Sequence, residues 1–206
     1  MALIHRAQIR PTKLELLAKW LPAQDWAGGA GGSELERVAA YRFDDPAGEV
    51  GIETLLVRAG DGPVLQVPLT YRGSPVDDGD SLLVGTCEHS VLGPRWVYDA
   101  TGDPVYAAAL TKAIINGEGQ AQEFIETDGR LEPRPLSMTI VVAEAAADPG
   151  DPALIGPGDP ALVATEAAEF AVVRRIGAGG VPDGLRLSGS WSGQPALVPL
   201  VFVWNR

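Results

Sequence analysis

Cys87 and His89 stand two residues apart in a run of strand-forming character, so alternation along a strand puts both side chains on one face. A thiol beside an imidazole is the pairing that cysteine nucleophiles use, and it works only where electropositive surroundings favour the thiolate. Arg95, Tyr98 and Asp99 follow within the same predicted hairpin and add charge and hydrogen-bonding groups to it. The spacing alone is equally that of two ordinary strand neighbours. A zinc site needs more ligands than this pair supplies, and Cys87 is the single cysteine of the chain.

Other patterns fail on physical detail. Gly189-Ser190-Trp191-Ser192-Gly193 has the outline of a nucleophile elbow, but Trp191 occupies the position that must project a hydroxyl. With His5 and His89 as the only histidines, a serine triad has few routes. Gly29-Ala30-Gly31 meets Glu34, and Gly177-Ala178-Gly179 meets Pro182, where a dinucleotide fingerprint needs its third glycine. The pairs Asp44-Asp45 and Asp77-Asp78 adjoin proline and glycine, where aspartate caps turns rather than facing a partner across a cleft. Trp20, Trp26, Trp96, Trp191 and Trp204 could form a sugar platform, although most tryptophans are largely buried. Trp26 borders a glycine-rich loop, where an aromatic can anchor a contact.

These residues define no catalytic, cofactor or metal site. Trp26, Tyr71, His89, Arg95, Tyr98 and Asp99 remain as candidates for contact with a ligand or partner.

A net charge of −11 sets the protein against polyanions, because phosphate contacts need clustered Lys and Arg, so nucleic acid is not expected as a partner. No apolar run approaches the ~20 residues that span a bilayer, and the first residues lack a signal-peptide pattern. A soluble, cytoplasmic protein is the expectation.

The elements that must position the candidates can be read from punctuation. A first strand falls within residues 2 to 10, and Thr12 and Glu15 have the spacing of a capping box opening a helix that Pro22 ends. Leu14, Leu17 and Leu21 share its apolar face, with Trp20 beside it. After the flexible glycine loop, strand-like runs separated by Asp, Gly and Pro turns suggest an antiparallel meander. Asp103 and Pro104 open a second helix that ends at Asn116-Gly117. A hairpin turning at Asp128-Gly129 and a strand at 137 to 143 follow. Three strands near 163 to 176, 184 to 191 and 196 to 204 complete the chain, with Pro199 marking the last as an edge or a bulged strand.

The class is therefore α+β: an antiparallel, curved β-sheet flanked by two helices, with a β-rich C-terminal extension. Residues 1–143 form the first unit, 144–160 a Pro/Gly/Ala-rich linker or long loop, and 161–206 the extension, either separate or packed on the first unit as one domain.

Leu21-Pro22-Ala23-Gln24-Asp25-Trp26-Ala27-Gly28-Gly29, followed by Leu65-Gln66-Val67-Pro68-Leu69-Thr70-Tyr71, resembles the opening of the N-terminal cap domain of bacterial maltokinases. Trp96-Val97-Tyr98-Asp99-Ala100 and Asp103-Pro104 are similar to later segments of that domain, and the likeness runs in order over residues 11 to 117. In that family the cap precedes two lobes that transfer phosphate from ATP to maltose, in the pathway linking trehalose to α-glucan. The catalytic loop and magnesium-binding segment of those lobes have no match here. Phe170-Ala171-Val172-Val173-Arg174-Arg175-Ile176 loosely resembles the N-lobe strand of the family, with Ala171 in the place of its phosphate-binding lysine.

The resemblance implies a free-standing, non-catalytic, cap-like module without cofactor, binding or regulating a protein partner, or associating with itself, in maltose, trehalose or α-glucan metabolism. A carbohydrate or sugar-phosphate binding module and an unrecognised glucan-processing enzyme are the alternatives.

Overall fold

The computed structural model describes residues 2–4, 7–28, 34–127, 130–148, 158–178 and 180–204. His5, the glycines at 29–32, the turn at 128–129, residues 149–157 of the linker and Gly179 lie outside them. In chain order the elements are β1 (Ala2–Ile4), β2 (Ile9–Arg10), α1 (Lys13–Trp20), β3 (Leu35–Phe43), β4 (Gly51–Ala59), β5 (Leu65–Arg72), β6 (Leu83–His89), β7 (Gly93–Asp99) and α2 (Pro104–Leu110). There follow β8 (Glu123–Thr127), β9 (Arg130–Pro133), β10 (Met138–Ala145), β11 (Ala161–Ala164), β12 (Glu169–Val172), β13 (Gly184–Trp191) and β14 (Gln194–Val203). The result is a mostly β, mixed α+β fold whose first large sheet curls into a half-barrel.

Both helices start as their sequences dictate. The Glu15 N–H donates to Thr12 Oγ1 at 3.2 Å and the Thr12 N–H to Glu15 Oε2 at 2.7 Å, closing the capping box of α1. Asp103 accepts from the Val105 N–H at 2.9 Å with Pro104 at the first helical position of α2. A π-helical turn, Thr111–Ile115, extends α2, and Gly117 takes a positive φ of 72° just beyond Asn116.

The half-barrel has the order β2-β6-β7-β5-β4-β3. A plain meander is therefore corrected: β5 pairs with β7, not with β6. The connection from residue 73 to 82 is long enough to carry the chain one strand further out, from where the β6–β7 hairpin returns to β5. The single strand expected at 2–10 also divides. β1 lies parallel to β8 in a three-stranded sheet with β9, whereas β2 pairs with β6 through Ile9 and His89.

The C-terminal strands form a five-stranded sheet, β10-β13-β14-β12-β11. The run at 163–176 is two short strands rather than one, because Thr165 closes a tight turn by accepting the N–H groups of Ala167 and Ala168. β14 lies centrally, so it is no edge, but it is bulged. Leu187 faces Val201 and Ser188 faces Pro199, leaving Leu200 as the extra residue. Pro199 cannot donate to a ladder, and the bulge places it where the regular pairing breaks.

The two faces of the half-barrel bury different partners. One carries Leu55, Val57, Val67, Leu69 and Val97 against Leu16, Leu17 and Leu21 around α1. The other presents Tyr41, Phe43, Ile52 and Leu56 to Tyr106, Leu110 and Ile114 around α2 and to Phe170, Leu187, Leu200 and Val201 of the five-stranded sheet. Residues on both sides of the 144–160 segment thus share one apolar cluster.

A backbone seam joins the sheets. β7 pairs only with residues 69–72 of β5. The N-terminal end of β5 instead meets the segment after β12: the Gln66 N–H donates to the Arg174 carbonyl at 2.8 Å and the Ile176 N–H to the Val64 carbonyl at 2.9 Å.

Candidate functional site

α1 covers only the apolar part of its face. Beyond Lys13, its first residue, the strands turn polar: Arg42 on β3, Glu53 on β4, Tyr71 on β5, Cys87 and His89 on β6, and Arg95 on β7. Glu53 apart, these side chains and Asp44, Asp45 and Glu49 from the β3–β4 turn line a cleft of about 440 Å³, and Glu53 lies beneath it against Lys13, Arg42 and Tyr71. That size falls within the ~300–1,000 Å³ of small-molecule sites.

Glu53 organises the floor. It is 3% exposed, and its carboxylate is held by Lys13, by Arg42 Nη2 at 2.8 Å and by the Tyr71 hydroxyl, which donates at 3.0 Å. Burial opposes its ionisation, yet the charges of Lys13 and Arg42 prevail and bring its pKa down to about 2. The same burial lowers the Lys13 ammonium from its ordinary value and pushes the Tyr71 phenol well above its own. The Lys13 ammonium also sits 5.1 Å from the Tyr71 ring centre. Arg42 continues the chain of charges to Glu123 at 4.0 Å, which Arg134 approaches to 3.2 Å.

Three of the sequence candidates meet in this cleft. Tyr71 belongs to the floor. His89 Nδ1 accepts the N–H groups of Val91 at 3.3 Å and Leu92 at 3.0 Å, which leaves the proton of the neutral ring on Nε2. Arg95 Nη2 donates to the Leu92 carbonyl at 2.7 Å, and its Nη1 lies 2.7 Å from where a Cβ on Gly73 would stand. Only glycine at 73 leaves the guanidinium this path.

The other three lie elsewhere. Tyr98 is buried, and its oxygen accepts the Val76 N–H at 3.0 Å, fastening the β5–β6 connection. Trp26 and Asp99 converge on Arg174, which is 2% exposed. Arg174 Nη2 donates to Asp99 Oδ2 at 2.5 Å and to Thr101 Oγ1 at 2.9 Å, and the guanidinium carbon lies 4.6 Å from the Trp26 ring centre. Asp159 receives the N–H groups of Arg174 and Arg175 at 2.7 and 2.9 Å. Trp26 itself is 6% exposed and packs edge-on to Trp20. Ala171 is fully buried in β12 opposite Leu162 and Phe202.

Lys13, Arg42, Glu53 and Arg174 were not singled out by sequence. The available signal was a charge set in an apolar run, as in Ile52-Glu53-Thr54-Leu55 and Val172-Val173-Arg174-Arg175-Ile176, because a charge buried there must find a partner.

Chemically, the cleft is better equipped to hold than to react. The Glu53 carboxylate is tied up by three donors and has no proton to give near neutrality. Cys87 is 5% exposed, and burial pushes its thiol up, away from thiolate. His89 Nδ1 is committed to the turn beside it. Among the described residues no group of three His, Cys, Asp or Glu side chains is placed to hold a metal ion. Among them, too, no helix is long and apolar enough to cross a membrane.

The fold is a curled antiparallel sheet, with α1 on one face and α2 on the other, that carries a charged cleft beside α1. Residues 20–103, from the end of α1 to the cap of α2, match the family model of the maltokinase N-terminal cap domain, which supports such a domain over this segment. The match takes in less than half of the chain, leaving α2 and the five-stranded sheet outside it. No curated protein matches the chain.

Proposed function

We propose that this chain is a non-catalytic, maltokinase-related module that binds and regulates a protein partner in the cytoplasm of a bacterium, within maltose, trehalose or α-glucan metabolism. The observation that carries the reading is Glu53: this carboxylate, buried beneath the cleft, is fixed by Lys13, Arg42 and Tyr71, so the polar groups serve structure and recognition. The cap family supplies the metabolic setting. Affinity purification of the tagged chain from its native host at mild salt, read by quantitative mass spectrometry, tests it. An enzyme acting on maltose, trehalose or α-glucan is expected to be enriched repeatedly. A monomer without a reproducible partner overturns it.

A second reading, binding of a carbohydrate or sugar phosphate, is favoured by the cleft itself, whose volume of about 440 Å³ suits a small polar ligand better than a protein segment.

A further inference from the structure

The cleft has an uneven charge balance. Lys13 and Arg42 share one buried carboxylate, Glu53, and the next carboxylate along, Glu123, is already approached by Arg134. Two cations therefore share one carboxylate beneath the cleft. Arg95 adds a further cation: among the described residues it pairs with no carboxylate, and its Nη2 is bound to the Leu92 carbonyl. In a chain of net charge −11, a guanidinium without a carboxylate at salt-bridge distance, facing a concavity, is an unusual locus.

The rim has the opposite character. The β3–β4 turn carries Asp45 and Glu49 to the edge of the same cleft. Asp45 is fixed there by accepting the N–H groups of Ala47, Glu49 and Val50 at 2.9 to 3.0 Å. Carboxylates accept hydrogen bonds from hydroxyl groups and repel bulky polyanions. A guanidinium that keeps N–H groups unused, as Arg95 does beyond its bond to Leu92, suits a carboxylate or phosphate.

Resting on the reading of this cleft as a carbohydrate-type site, we infer that it takes a small, polyhydroxylated anion, with the anionic group on Arg95 and the hydroxyls directed to the carboxylates of the β3–β4 turn. A neutral sugar would leave the cationic side unanswered. A bare inorganic anion would forgo the rim, and a highly charged polyphosphate would be repelled by it.

Calorimetric titration of the full chain at low ionic strength, where such contacts are least screened, tests the inference with four ligands: glucose 6-phosphate, gluconate, inorganic phosphate and maltose. The first two distinguish phosphate from carboxylate as the anionic group. At least one of them is expected to bind ten-fold or more tighter than either phosphate or maltose. Arg95→Gln is expected to weaken that binding at least ten-fold. Gly73→Ala, which crowds the guanidinium without removing its charge, should weaken it less. Arg58→Gln, on the opposite end of β4, should leave it unchanged. Maltose binding as tightly as the anions, and unaffected by Arg95→Gln, overturns the inference while leaving a carbohydrate cleft. Phosphate binding as tightly as glucose 6-phosphate overturns the role of the rim. Binding by none of the four overturns the carbohydrate reading as well.

Discussion

The guanidinium of Arg174 lies over the Trp26 ring at 4.6 Å, joining the segment after β12 to the turns that follow α1. The same group reaches Asp99 at the end of β7, so one buried cation gathers three distant parts of the chain. Arg174→Met removes the cation and keeps most of the volume, leaving the Asp99 carboxylate buried without its partner. A loss of about 3–5 kcal/mol is expected in urea unfolding. Adding Asp99→Asn should recover part of that loss, because it removes the stranded charge and retains an oxygen for Thr101.

Glu53 gives the stability an acid limb. Its folded pKa, about 2, lies below its ordinary value of 4.5, so the stabilisation is complete above about 4.5 and is lost as pH falls toward about 2. Urea unfolding across pH 2 to 6 should show this slope, and Glu53→Gln should flatten it while lowering stability near neutrality.

Cys87 should behave as a structural thiol. Burial keeps it protonated and shielded, so alkylation by iodoacetamide at pH 7.5 is expected to be at least ten-fold slower than for the chain unfolded in urea. Equal rates would restore Cys87 and His89 as a reactive pair.

Gly189 sits where β13 meets its own neighbours most closely. A Cβ there would stand 2.7 Å from both Leu200 Cδ1 and Met138 Cε. Gly189→Ala should cost about 1–3 kcal/mol through overpacking, seen as a lowered thermal midpoint.

The parts legible in the sequence are those set by neighbours along the chain. Thr12 with Glu15, and Asp103 with Pro104, announce their helices because a cap is satisfied within a few residues. Pro199 announced an irregular strand because it lacks an N–H, but its central place depends on strands β12 and β13, which local chemistry does not specify. The pairing of β5 with β7 and the seam from β5 to Arg174 were hidden for the same reason. Tyr71, His89 and Arg95 were named as contact residues and do share the cleft. Trp26 and Asp99 were named with them as contact candidates, and they lie away from the cleft against the buried Arg174, 75 residues beyond Asp99.

Gln66 illustrates a different kind of control. Its side-chain amide donates to the Val173 carbonyl at 2.8 Å and to the Leu200 carbonyl at 2.9 Å, entirely within the interior. Leu200 is the extra residue of the β14 bulge, and its carbonyl also receives the Val173 N–H. Sliding the C-terminal strands by one position would turn every side chain to the opposite face and strand both amide hydrogens in a dry core. The apolar cluster alone would tolerate several arrangements of Leu, Val and Phe. Gln66 admits one, so it acts as a gauge of alignment between the two large sheets, and its contribution lies in uniqueness more than in strength.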